Sequence, residues 1–176
     1  PSLNPFMALG PRAWRAVRGW IRELLAEEPH RDLVEPHLVP LADVTVHMPF
    51  TVADYVDFYA SEHHARNVGA ILRPDSPSLP NAWRHLPIGY HGRAGTVVPS
   101  GTDIVRPSGL RRDGDAVIYG PSARLDIEAE VGFVVGVPST LGRPVTVTAF
   151  ADHVFGVVLL NDWSARDIQA WEYVPL

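Results

Sequence analysis

Four carboxylates stand in this sequence where carboxylates are uncommon. Glu128 and Glu130 lie two residues apart within residues 125–135, a Val-rich stretch with partial alternation that reads as a strand, so their side chains share one face. Asp162 follows the continuous apolar run 154–160 after a single Asn, where a strand is expected to end. Asp57 sits between Val56 and Phe58. A carboxylate withdrawn from water must be paired or bound to a cation. The chain has no cysteine, and an all-oxygen ligand set favours a hard cation, Ca²⁺ or Mg²⁺, with Mn²⁺ also compatible. Plainer readings stand beside this one. An alternating strand keeps one face in water, which would make Glu128 and Glu130 ordinary solvated positions. Asp162 can equally be a helix N-cap.

The donors and bases come next. His64 lies seven residues after Asp57, about two turns if the segment is helical, which would point both the same way. A histidine near a cation site is a candidate general base because its ordinary pKa is near neutrality. It is also one of 8 histidines and can be a plain exposed helix residue. Arg166 and Gln169 fall three apart on a helix expected over 162–171 and share a face. Arg166 is also four residues from Asp162 and can simply pair with it. Tyr59, Arg73 and Tyr90 are polar donors in or beside loops. Tyr90 lies in the run GYHGR, where flanking glycines permit close backbone approach to a ligand. Ser164 lacks the Gly-x-Ser-x-Gly elbow, which argues against a serine hydrolase.

These groups need elements to hold them. Residues 11–28 read as an amphipathic helix with Pro at its first position and apolar residues at three-to-four spacing. Residues 29–40 read as a Pro-punctuated linker, and 41–48 as a strand with Val44 and Val46 on one face. Ser61 is placed to cap a helix carrying His63, His64 and Arg66. Residues 73–87 read as a Pro-rich loop; 95–105, 116–119 and 125–135 as strands; 147–153 as a short helix; and 154–160 as a buried strand. Many short strands with few helices give a β-rich α+β fold.

Composition narrows the function classes. All 15 basic residues are arginine, so a lysine Schiff base or P-loop lysine is excluded within the chain, although the bias can also be compositional. A net charge of −5 argues against a nucleic-acid partner. No apolar run approaches ~18 residues, and the first residues lack the basic and apolar regions of a signal peptide, so a cytoplasmic setting without membrane contact is expected.

Four longer stretches, DYVDFYASEHHARNVG, LPIGYHGRAGTVVPSGT, LDIEAEVGFVVG and NDWSARDIQAWEYVPL, together resemble the fumarylacetoacetate hydrolase family. LNPFMALGPRAWRAVR resembles the segment that precedes its catalytic domain. The resemblance implies a dimeric, β-roll-type catalytic domain that binds Ca²⁺ or Mg²⁺. It implies Asp57, Glu128, Glu130 and Asp162 as ligands and His64 as the base activating water. Tyr59, Arg73, Tyr90 and Tyr173 would contact a diketo-acid substrate, and Arg166 and Gln169 would line the oxyanion region. The implied reaction is hydrolysis of the carbon–carbon bond of 4-fumarylacetoacetate to fumarate and acetoacetate. Residues 1–45 would be the tail of an N-terminal region with a linking helix, and 46–176 the first portion of the catalytic roll. Family members are longer at both ends, with a lysine and a water-orienting glutamate beyond the point matching Leu176, so the chain is expected to be a fragment. Acylpyruvate hydrolases, decarboxylases and isomerases of the same superfamily are alternative readings, as is an inactive metal-binding piece.

Overall fold

The computed structural model describes residues 2–173; the last three residues of the WEYVPL run lie outside them. Six helices are α1 (Asn4–Met7), α2 (Pro11–Ala26), α3 (Arg31–Val34), α4 (Glu62–Leu72), α5 (Phe150–His153) and α6 (Arg166–Glu172). Six strands are β1 (Val56–Phe58), β2 (Gly89–His91), β3 (Ser108–Asp113), β4 (Ala116–Pro121), β5 (Leu125–Val135) and β6 (Val154–Ala165). The described strands pair antiparallel as β1–β2, β3–β4 and β5–β6. The α+β class expected from the sequence therefore holds.

The chain divides into two compact units, residues 47–100 and residues 1–46 with 101–176. In the larger unit α2 is fixed by one aromatic residue. Trp14 is buried, packs edge-on against Phe155 at a centroid distance of 5.1 Å, and donates its indole N–H to the Met7 carbonyl at 3.0 Å. Gly136 makes room for that ring, since a Cβ there would stand 2.5 Å from Trp14. At the other end of the same strand pair, α6 lies on β3. A Cβ on Gly109 would meet Ile168 at 2.8 Å, and the Leu110 N–H donates to Glu172 at 3.0 Å.

In the smaller unit β1 and β2 form a short ladder in which Asp57 faces Tyr90 directly. Ser61 caps α4 as the sequence suggests, accepting from the His64 N–H at 3.4 Å. Gly69 sits where α4 touches the following loop, with Ser78 O only 2.0 Å from where a Cβ would be.

Several expectations are corrected. Residues 41–48 form no strand but a single 3-10 turn, Leu41–Asp43, because no neighbouring segment offers a ladder. The linker at 29–40 holds α3 and two 3-10 turns. Residues 95–105 likewise carry no strand; pairing begins at Ser108, where β4 supplies a partner in register. The strand expected at 154–160 extends through Ala165, and its centre is not buried: Leu159 is 89% exposed. Asp162 is thus a strand residue, not a helix cap, and α6 starts four residues later.

Candidate metal and substrate site

The eleven residues singled out above fall into both units. In the larger unit β5 and β6 are registered so that Glu128 faces Asp162 and Glu130 faces Leu160. Glu128, Glu130, Leu160 and Asp162 belong to the better-covered face of this ribbon, while Val131, Phe133, Val157 and Leu159 point outward. The solvated-strand reading of Glu128 and Glu130 is thereby reversed: the carboxylates take the sheltered face and the apolar side chains the open one. Asp162 is buried at 8% exposure, and its carboxylate comes within 4.8 Å of that of Glu130. Like charges set directly across a strand pair are destabilising. Here they are offset by a cation from α6.

That cation is Arg166. Its Nε donates to Asp126 at 2.9 Å, one terminal nitrogen donates to Glu128, and the other donates to Gln169 Oε1 at 3.1 Å. Arg166 therefore pairs not with Asp162, the partner suggested by sequence spacing, but with two acids some forty residues away. The i,i+3 face shared with Gln169 does hold, and accepting from Arg166 leaves the Gln169 NH₂ as its donor group. Burial alone would lower the Arg166 pKa, but the bonds to Glu128 and Asp126 outweigh it and raise it. The Ile127 N–H, then Arg166, hold the Asp126 carboxyl below its usual range.

Asp167, beside it, is equally engaged. Burial would raise its pKa, yet the Ser122 hydroxyl and the backbone N–H groups of Ala123, Asp167 and Ile168 hold it down at about 2. Asp126 and Asp167 were not among the sequence candidates. Asp126 was legible, being in the same period-2 set as Glu128 and Glu130. Asp167 was not, because its partners lie 44 and 45 residues away. Tyr173 ends this region, donating its N–H to Gln169 O at 3.0 Å with its side chain exposed.

In the smaller unit β1 and β2 set Asp57 opposite Tyr90, Tyr59 packs against His64, and Arg73 stands at the opposite end of α4 from His64. Asp57 and His64 do not share one helix; the first is on a strand and the second in the first turn of α4. His64 is half-buried, with its ring edge-on to Tyr59 at 6.0 Å. The Tyr59 hydroxyl donates to the Ala65 carbonyl at 2.9 Å, and the Trp83 indole donates to Tyr59 O at 2.7 Å. The His64–Tyr59 geometry is thus set by a strand, a cap and two side-chain bonds. Arg73 terminates α4, half-buried, and Tyr90 is about half-exposed beside the close approach of Gly89 to Asp57.

The donor set suits a hard cation: carboxylate oxygens on a sheltered face, with no cysteine in the chain. A second group, Glu23, Glu27 and His30, also brings ligand atoms within 4.8 Å of one another, but it lies on the outer surface of the α2 end. No helix of the described residues is long and apolar enough to cross a membrane.

The model of the Fumarylacetoacetate (FAA) hydrolase C-terminal family matches residues 54–176, and that of the Fumarylacetoacetase N-terminal family matches 1–49. The chain is 46% identical over 183 residues to a fumarylacetoacetase of Bos taurus and 46% identical over 183 residues to that of Homo sapiens. In both cases all of this chain and 44% of the relative are covered. A Caenorhabditis elegans fumarylacetoacetase is 48% identical over 99% of this chain and 44% of its own length. The chain thus spans less than half the length of these curated relatives.

Proposed function

The chain belongs to the fumarylacetoacetate hydrolase family, and from that premise we propose that it carries part of the active site for hydrolysis of 4-fumarylacetoacetate to fumarate and acetoacetate. The observation that carries this reading is the identity of 46% to fumarylacetoacetases along the whole chain. Residues 1–45 serve as the tail of an N-terminal region and 46–176 as the first part of a catalytic roll.

In this reading Glu128, Glu130 and Asp162, with Asp57 as a further carboxylate, hold Ca²⁺ or Mg²⁺. Such a cation, when bound, supplies Lewis-acid stabilisation of the enolate that leaves as the carbon–carbon bond breaks. His64 takes a proton from the water that attacks the ketone carbonyl, a role worth roughly 10²–10⁴-fold in rate. Its ring packs edge-on against Tyr59, which helps to set its orientation. Arg166 and the Gln169 NH₂ offer hydrogen bonds to the oxyanion formed at that carbonyl; one such donor is worth ~3–4 kcal/mol. Arg73 and Tyr90 bind the acid and diketo oxygens, Tyr173 adds a further contact, and Tyr59, its proton committed to Ala65, offers acceptor lone pairs. The working protein is a cytoplasmic homodimer acting on a small diketo acid, with neither nucleic acid nor membrane as partner.

The test is turnover by the protein that carries this chain, followed as loss of the diketo absorbance of fumarylacetoacetate in the presence of Ca²⁺ or Mg²⁺. Divalent-dependent loss is expected. Turnover of acylpyruvates with none of fumarylacetoacetate would move the assignment to another branch of the superfamily. Turnover of neither would leave a metal-binding piece without activity.

A further inference from the structure

Two neighbouring residues at the start of α6 reach in different directions. Arg166 goes forward to Asp126 and Glu128 on β5. Asp167 goes to the turn that precedes β5: its Oδ1 accepts from the Ser122 hydroxyl at 2.6 Å and its Oδ2 from the Ala123 N–H at 2.7 Å. The same turn is closed from the other side by the Arg166 N–H, which donates to Arg124 O at 2.9 Å. Ser122 is 3% exposed and its hydroxyl also accepts from the Arg124 N–H at 3.2 Å, so the turn is held in one conformation. The Arg111 guanidinium adds a counter-charge, its Nε 3.8 Å from Asp167 Oδ2. From this arrangement we propose that Asp167 is a positioning residue: it clamps the first turn of α6 to the Ser122–Arg124 turn and thereby fixes Arg166 where it bridges Asp126 and Glu128.

The physical need for such a clamp is plain. Arginine carries about 2 kcal/mol of rotamer entropy, and its planar fork bonds two partners only if its backbone is fixed relative to both. The two acids Arg166 reaches lie on β5, whereas Arg166 itself lies past the end of β6. The ladder pair Leu125–Ala165 and the Arg166 N–H bond to Arg124 O bring the backbone of Arg166 to the start of β5; the Asp167 carboxylate adds the side-chain bonds that hold the first turn of α6 against the turn before β5. An error of about 1 Å in such a group can cost ~10²-fold in turnover.

The experiment reads Arg166 directly. In ¹⁵N-labelled intact protein, the Arg166 Nε–H is expected to exchange slowly with water. Asp167→Asn, which keeps the shape but cannot accept from both donors with two charged oxygens, is expected to speed that exchange at least about tenfold, the weight of one lost bond of ~1.4 kcal/mol. The Trp14 indole N–H, bonded to Met7, should keep its wild-type rate and so reports that the fold persists. Ser122→Ala removes one donor only and should move Arg166 the same way by less; it carries the same readout if Asp167→Asn does not fold. Unchanged Arg166 exchange in a folded variant overturns the proposal.

A second arm rests on the fumarylacetoacetate reading. There Asp167→Asn should lower kcat/KM, mainly through kcat, and Arg166→Gln with Asp167→Asn should be no slower than Arg166→Gln alone. Additive losses would mean that Asp167 acts by another route. If wild type does not turn over the substrate, the functional reading fails while the exchange measurement still decides the role of Asp167.

Discussion

The two units hold their polar residues by different means. In residues 101–173 the arrangement is charge against charge. Three acids on β5, Asp162 on β6 and Asp167 on α6 are accompanied by Arg166 and Arg111, and the bonds that order them span some forty residues. In residues 47–100 the Tyr59–His64 pair is ordered by shape and backbone: Ser61 caps α4, the Tyr59 hydroxyl bonds a helix carbonyl, and His64 rests edge-on against Tyr59, while the ion pairs of this unit, Glu62 with Arg66 and Arg84 and Asp54 with His91, stand on exposed side chains. The charged region should respond to charge-neutral substitutions and to acid. The Tyr59–His64 pair should respond mainly to changes of volume. Evolving a cation site requires the first kind of order, since carboxylates that repel must be held together. Holding a ring in one orientation draws on the second, as the packing of His64 against Tyr59 does.

The sharpest division comes from His64→Ala. On the proposed role it lowers kcat by roughly 10²–10⁴-fold, while divalent-cation affinity by calorimetry stays at the wild-type value; a matching loss of affinity would mean the two regions are not separable in function. Next in size, Trp14→Ala should destabilise the larger unit by ~3–5 kcal/mol in denaturant melts, as removal of a buried aromatic does. Gly69→Ala should cost about 1–3 kcal/mol, because the new Cβ would collide with the Ser78 carbonyl at 2.0 Å. If that cost appeared instead as a change in cation affinity, the shape-held description of residues 47–100 would be wrong.

Acid supplies the smallest and most diagnostic effect. Asp167 ionises more readily in the folded than in the unfolded chain, with its pKa held down at about 2. Its contribution is therefore complete above about pH 4, the ordinary aspartate range, and is lost as pH falls toward 2. After solvent screening this is worth about 1–2 kcal/mol. Melts of wild type and Asp167→Asn should converge across that window, and parallel curves would show that the carboxylate is not held in its charged form.

What was legible in the sequence follows the same division. Strand β5 was readable residue for residue, because alternation and Val content are local signals, and so was the Ser61 cap. The apolar run of β6 was readable as a strand but not as an exposed one, since continuous hydrophobicity does not say which face is covered. The short ladder β1–β2 escaped notice because three-residue strands carry too little pattern, and with it went the true relation of Asp57 to His64. A shared helix would set the two residues two turns apart; a strand, a short connection and a capped helix stand there instead. Residues 41–48 show the converse: Val44 and Val46 alternate as a strand would, but a strand needs a partner, and pairing is not written locally. Among the candidate residues, types were legible and partners were not. Nothing near Arg166 in sequence points to Asp126 and Glu128.

The central claim is that the sheltered carboxylates of β5 and β6 form a hard-cation site, and its most direct measurement is a calorimetric titration with Ca²⁺ and Mg²⁺ of wild type against Asp162→Asn. The account predicts binding to wild type and a loss of roughly 10²-fold or more in Asp162→Asn, at least that seen when groups supporting a metal site are removed, with the melting curve in chelator unchanged in shape. Equal affinity in the two proteins, or no binding to a folded wild type, would contradict it.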